Sequence, residues 1–122
     1  MSAQDFVDGL AALGYEVREP QVGVAEFDYA IEVGRCQGQT VCLAFAVPQD
    51  FPLSCPSGPN ISPRLVPLHP AQDVGHPIGG VHEAPQFGDE WQYWSRPFPD
   101  WAASERTVRA YMAHIRRLFA TL

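Results

Sequence analysis

The chain has 122 residues, a formal net charge of −6 and 46% hydrophobic residues, which supports a single domain, 1–122, able to bury about two-thirds of its unfolded surface without covalent staples. An excess of 14 acidic over 8 basic side chains argues against a binder of phosphate backbones, so no nucleic acid is expected as a partner. No apolar run reaches the ~18 residues of a membrane span, and the amino terminus Met-Ser-Ala-Gln-Asp lacks the basic-then-apolar layout of a secretion signal, so no membrane partner and a cytoplasmic location are expected.

Residues 2–13 read as a short amphipathic helix, with Ser2 as N-cap, Asp5 where a capping-box acid belongs and Gly14 just past the end. Phe6, Leu10 and Leu13 give it one apolar stripe. A connection over 15–22 follows, with room for a short strand around 16–18. Ala25, Phe27, Tyr29, Ile31 and Val33 then alternate with Glu26, Asp28, Ala30 and Glu32, the period of a strand with one wet face. A turn at 34–38, Gly-Arg-Cys-Gln-Gly, leads into 40–47, where Val41, Leu43, Phe45 and Val47 alternate with Cys42, Ala44 and Ala46. The two segments predict an antiparallel hairpin. The three cysteines are odd in number and lack Cys-x-x-Cys spacing, so neither a disulfide framework nor a zinc site is indicated. Cys36 reads as a turn residue and Cys42 as a small strand residue.

Eleven of the 12 prolines lie between Pro48 and Pro99. Proline cannot donate to a sheet ladder, so this half is expected to be mostly irregular, with an edge strand around 64–68. Within it lie His69-Pro70, His76-Pro77 and His82-Glu83, with Asp73 and the Gly79-Gly80 pair. Three histidines with an acid could complete a zinc sphere, but their spacing matches no known zinc motif and no metal or other cofactor is predicted. Trp91, Tyr93, Trp94, Phe98 and Trp101 are read as one buried aromatic cluster, with Ser95 and Arg96 among the rings. Over 104–122, Val108, Tyr111, Met112, Ile115, Leu118, Phe119 and Leu122 recur every three or four residues, predicting a long amphipathic helix. Arg106, Arg109, Arg116 and Arg117 lie off its apolar face, either solvated or as a docking face for an acidic partner. Every basic residue is arginine. Genomic base composition produces such a bias, and a chain without lysine amines also gives activated acyl groups no accidental acceptor.

The order of helix, antiparallel strands, proline-rich extended loop, His-Pro and a tryptophan leading into an amphipathic helix resembles the ubiquitin-conjugating-enzyme (UBC) fold. Val47-Pro-Gln-Asp-Phe-Pro-Leu, followed by Pro56, Pro59 and Pro63, resembles that family's strand end and Tyr-Pro-Phe turn; Leu68-His69-Pro70 resembles the start of its His-Pro-Asn motif; and Trp101-Ala-Ala-Ser-Glu-Arg-Thr-Val108 resembles its Trp-Ser-Pro-Ala-Leu-Thr-Ile segment. The combination is similar to divergent bacterial UBC-like proteins. It implies an α+β UBC-like domain with an N-terminal helix, an antiparallel meander, a long proline-rich loop region and a C-terminal helix. The partners it implies are a ubiquitin-like protein and its activating-type enzyme, met through Phe51, Pro52, Cys55 and Trp101.

The family's modifier-carrying cysteine has no counterpart. Counting back from Trp101 reaches Tyr93, matching Gly88 to the family's glycine reaches Trp91, and Ala71 stands where the asparagine would follow His69-Pro70. One expectation is relocated chemistry, with Ser95 as an oxyester-forming nucleophile and His76 or His82 as its base, since a serine hydroxyl is almost fully protonated at neutral pH. A second makes Cys55 the acceptor. A third is a scaffold without chemistry that binds a ubiquitin-like protein or supports an active partner. Outside this family, the same acidity and aromatic content fit a small α+β binding or immunity module.

Overall fold

The computed structural model describes residues 3–65, 80–84, 86–95, 98 and 100–121. Helix α1 (Ala3–Ala12) is followed by strands β1 (Val24–Ala30), β2 (Thr40–Ala46), β3 (Ser57–Ser62), β4 (Gly80–Glu83) and β5 (Gln92–Ser95), a 3-10 turn at Trp101–Ala103, and helix α2 (Val108–Ala120). The strands form one antiparallel sheet in the order β1-β2-β3-β5-β4. An isolated bridge, Arg18 to Glu26, extends it beyond β1 where a short strand was expected. No helix among the described residues is long and apolar enough to cross a membrane.

Both helices cover one face of the sheet. Alternation along β1 and β2 sends Ala25, Phe27, Tyr29, Val41, Leu43 and Phe45 into the interior, in the register Phe27 opposite Leu43 and Ala25 opposite Phe45. From α1, Phe6 meets Phe45 and Tyr111 edge-on with ring centroids 5.9 and 5.8 Å apart; each such buried ring contributes roughly 1.5–3 kcal/mol. From α2, Phe119 stacks on Tyr29 at 5.5 Å and meets Trp94 of β5 at 5.2 Å. The helices cross where α1 has a glycine: a Cβ on Gly9 would stand 2.3 Å from Val108 Cγ2.

Several boundaries differ from those expected. Leu13 lies beyond α1 in the turn closed by Gly14, whose φ is 101°, and is 45% exposed instead of continuing the stripe. Helix α2 starts at Val108, later than 104, because Thr107 caps it, its side-chain oxygen accepting the Ala110 N–H at 3.1 Å. Upstream, Ser104 Oγ donates to the Trp101 carbonyl at 2.8 Å and accepts from the Arg106 N–H at 3.0 Å, a wound turn that pre-empts helix. Ser2 and Leu122 lie outside the described residues, as does most of the edge strand expected around 64–68.

The larger difference is β3, a central strand in a stretch expected to be irregular. Its Pro59 lies opposite the register shift between Ala44 and Ala46 on β2, a bulge where a missing backbone donor is tolerated. At that bulge the buried Asn60 side chain donates from Nδ2 to the Ala44 carbonyl at 3.1 Å. The aromatic cluster also divides. Trp94 and Trp101 both reach α2, but Trp91 lies apart, only half-buried, against Phe87 at 5.3 Å, and Tyr93 points to the other side of the sheet from Trp94.

Candidate functional site

Two places hold the expected site residues. The first is the proline-rich 48–56 loop and the turn before α2. The Phe51 N–H donates to the Pro48 carbonyl at 3.1 Å and the Leu53 N–H to the Asp50 carbonyl at 2.8 Å. Ser54 Oγ donates to Asp50 Oδ2 at 3.0 Å, so the loop is tied internally. The Phe51 ring enters the core against Phe6 at 5.2 Å and Trp101 at 6.0 Å. Trp101 in turn meets Phe98 and Tyr111 edge-on at 5.5 and 6.3 Å, while its Nε1–H donates to the Pro52 carbonyl at 2.9 Å. That bond fastens the loop to the root of α2.

The four residues assigned to partner contact therefore converge, but in different states. Phe51 and Trp101 are buried and act as the loop's anchor, whereas Pro52 and Cys55 are half-buried. Leu53, which the sequence did not single out, is 56% exposed on this anchored loop. Its signal in the sequence was its position directly after Phe51-Pro52, an apolar side chain in a segment too short and proline-rich to bury it.

The second place is the β4–β5 hairpin. His82 is exposed and sits opposite Tyr93, their rings stacked with centroids 6.4 Å apart. Ser95 ends β5 opposite Gly80. His82 and Ser95 are thus diagonal positions of the ladder, about 7–8 Å apart by the usual geometry of such pairs. His69, His76, Asp73 and Arg96 lie outside the described residues. Among the described residues no group of three or more His, Cys, Asp or Glu side chains could hold a metal ion.

The surroundings of Cys42 and Cys55 disfavour their thiolates. Burial pushes the half-buried Cys55 thiol up, the wrong direction for an acyl acceptor, which must be a thiolate. Cys36 is buried within the 34–38 turn. Cys42 is on the outer side of the sheet, where Arg18 donates to its Sγ at 3.3 Å and the thiol donates to Glu26 Oε1 at 3.5 Å. Arg18 also pairs with Glu26 at 3.3 Å and with Asp28 at 3.2 Å. Desolvation first, and Glu26 second, push the Cys42 thiol to about 11.

The Cys42 shift has a measurable consequence. The folded state holds the thiol neutral to a higher pH than the unfolded chain, so its contribution to stability is complete below about pH 9 and is lost as pH rises toward 11. Tyr29, pushed by burial to about 12, acts over a higher window. Wild type should therefore lose more thermal stability than Cys42→Ala between pH 9 and 11, with parallel midpoints below that range. Equal slopes in a pH series of melting curves would contradict the thiol's assignment.

A scan against protein-family models gives no match to the chain, and no curated protein or solved structure matches it significantly.

Proposed function

We propose that this protein is a UBC-like component of a bacterial ubiquitin-like conjugation pathway that binds and presents its partners without carrying the modifier on a cysteine. The observation that carries the reading is the anchored loop: Trp101 holds the Pro52 carbonyl at 2.9 Å while Leu53 stands 56% exposed beside it. An apolar side chain on a pre-ordered loop binds at little entropic cost, because the ordering is already complete before the partner arrives. The order of elements, from α1 through the antiparallel strands and proline-rich loop to a tryptophan at the root of α2, supports the family resemblance. The raised thiols of Cys42 and Cys55 support a role without a thioester.

Binding of the purified protein to the activating-type enzyme and ubiquitin-like protein of the same genome tests this reading. Leu53→Asp puts a charge at the centre of the contact and is expected to weaken that binding at least tenfold, or about 1.4 kcal/mol, with an unchanged melting temperature. Binding of the variant at wild-type affinity would remove the loop from the interface.

A second reading is favoured by the β4–β5 register, which makes His82 and Ser95 diagonal neighbours. In it the Ser95 hydroxyl attacks the activated carboxyl-terminal carbonyl of the modifier, its proton passes to histidine, and the previous carrier leaves as the acyl–oxygen bond of an oxyester forms. Incubation with activating enzyme, modifier and ATP should then give an intact-mass increase that hydroxylamine removes and that Ser95→Ala never acquires. A wild-type protein of unchanged mass under these conditions would eliminate this chemistry.

A further inference from the structure

The outer side of α2 carries a feature that the loop reading does not use. A trough of about 630 Å³ runs along it, lined by Phe98, Ser104, Glu105, Arg109, Ala110, Ala113 and Arg117. Arg109, Ala113 and Arg117 are spaced by four residues, so they form one stripe, and the two arginines are about 12 Å apart along the axis. Between them the small side chains of Ala110 and Ala113 leave a shallow floor where a second backbone can come close. Phe98, its ring tilted against His114 with centroids 4.5 Å apart, is the apolar wall.

Charge decides what fits. The chain is acidic overall at −6, yet α2, VRAYMAHIRRLFA, contains no acid. Of its arginines, Arg116 is turned toward Glu32 at 3.7 Å. Among the described residues neither Arg109 nor Arg117 has an ion-pair partner, and both are exposed. Arg117 in the last turn suits the helix dipole, but Arg109 is the second residue of α2, where the dipole opposes a cation. Glu105, in the turn before α2, is the one acid among the described lining residues, so the two arginines leave the trough with a net positive charge that an incoming pair of carboxylates would balance.

We propose that this trough docks an acidic helical segment of a partner protein, with its small or apolar face on Ala110, Ala113 and Phe98 and two carboxylates about two helical turns apart reaching Arg109 and Arg117. Guanidinium groups bind carboxylates bidentately, so the spacing of the acids as well as their number is read. The surface and its chemistry differ from those of the 48–56 loop, and Leu53→Asp should leave this contact unaffected.

The probe is a fluorescein-labelled alanine-rich helical peptide with glutamates eight residues apart, beside a peptide of equal charge whose glutamates are adjacent, both titrated by anisotropy. The expected result is at least tenfold tighter binding of the spaced peptide and at least tenfold loss in Arg109→Ala/Arg117→Ala. Ala113→Trp, which fills the trough and keeps the charge, should lose binding to the same extent, with all variants melting like wild type. Equal binding of the two peptides, or full binding by Ala113→Trp, would reduce the effect to bulk charge and overturn the proposal. Sedimentation showing a wild-type dimer that the double arginine variant abolishes would assign the trough to a second copy of this chain and overturn it equally.

Discussion

Gly34→Ala is expected to destabilise the fold by about 2–5 kcal/mol, a large part of the roughly 5–15 kcal/mol available to a domain of this size. Two causes add. Gly34 has a φ of 83°, a left-handed conformation that costs a side-chain-bearing residue about 1–2 kcal/mol. A Cβ there would also stand 2.1 Å from the Phe119 carbonyl oxygen, backbone at the end of α2 that cannot swing aside as a side chain could. Phe119 is the residue that Tyr29 and Trp94 grip, so the displacement would be felt in the sheet. Gly38 is the internal control: its φ is 94°, yet a Cβ there meets nothing within 4 Å. Gly38→Ala should show only the conformational cost in urea titrations. Equal losses for the two variants would mean that the 34–38 turn does not pack on α2.

Trp101→Ala should cost about 3–5 kcal/mol, the range for a large buried aromatic, and should also detach the 48–56 loop. The ring is in contact with Phe51, Phe98 and Tyr111, so its removal opens a cavity between the loop and α2. Its Nε1–H donates to the Pro52 carbonyl at 2.9 Å and ties the loop to the turn before α2. Trp101→Phe separates the two effects: it keeps most of the ring but leaves the carbonyl without that donor, a loss of about 1–3 kcal/mol. Limited proteolysis should show faster cleavage at Leu53 in both variants, and faster in Trp101→Ala. If the loop resists protease equally in all three proteins, the indole does not hold it.

The sequence was most legible where one physical signal dominated. The alternation from Ala25 to Tyr29 and from Val41 to Phe45 fixed both strands and their hairpin, and the three- and four-residue recurrence from Val108 to Phe119 marked the buried face of α2. It was least legible where a local exception hid the pattern. Pro59 argues against a central strand unless a bulge accepts it, and the bulge is a property of β2 as well as β3. In β5, Gln92 faces the core, its Oε1 accepting from the Leu65 N–H and Trp94 Nε1–H at 2.9 Å each, so a buried polar residue masks the alternation. That same alternation divides a cluster that looked continuous in sequence: Trp94 goes to Phe119 and Tyr93 to His82. The residues expected to meet a partner came from two separate stretches, Phe51, Pro52 and Cys55 in one and Trp101 in the other. Which of them is anchor and which is surface depends on where Phe51 and Trp101 meet, across about fifty residues of chain that no local pattern spans.

The most direct test of a partner-docking loop is an NMR titration of methyl- and 15N-labelled protein with the activating-type enzyme or ubiquitin-like protein of the same genome. The account predicts that the Leu53 methyl signals broaden or shift first and that the Trp101 indole N–H follows through its bond to Pro52, while the Trp94 indole N–H, bonded to Gln92 beneath the sheet, stays in place. Saturating partner that leaves Leu53 and Trp101 unmoved would contradict it.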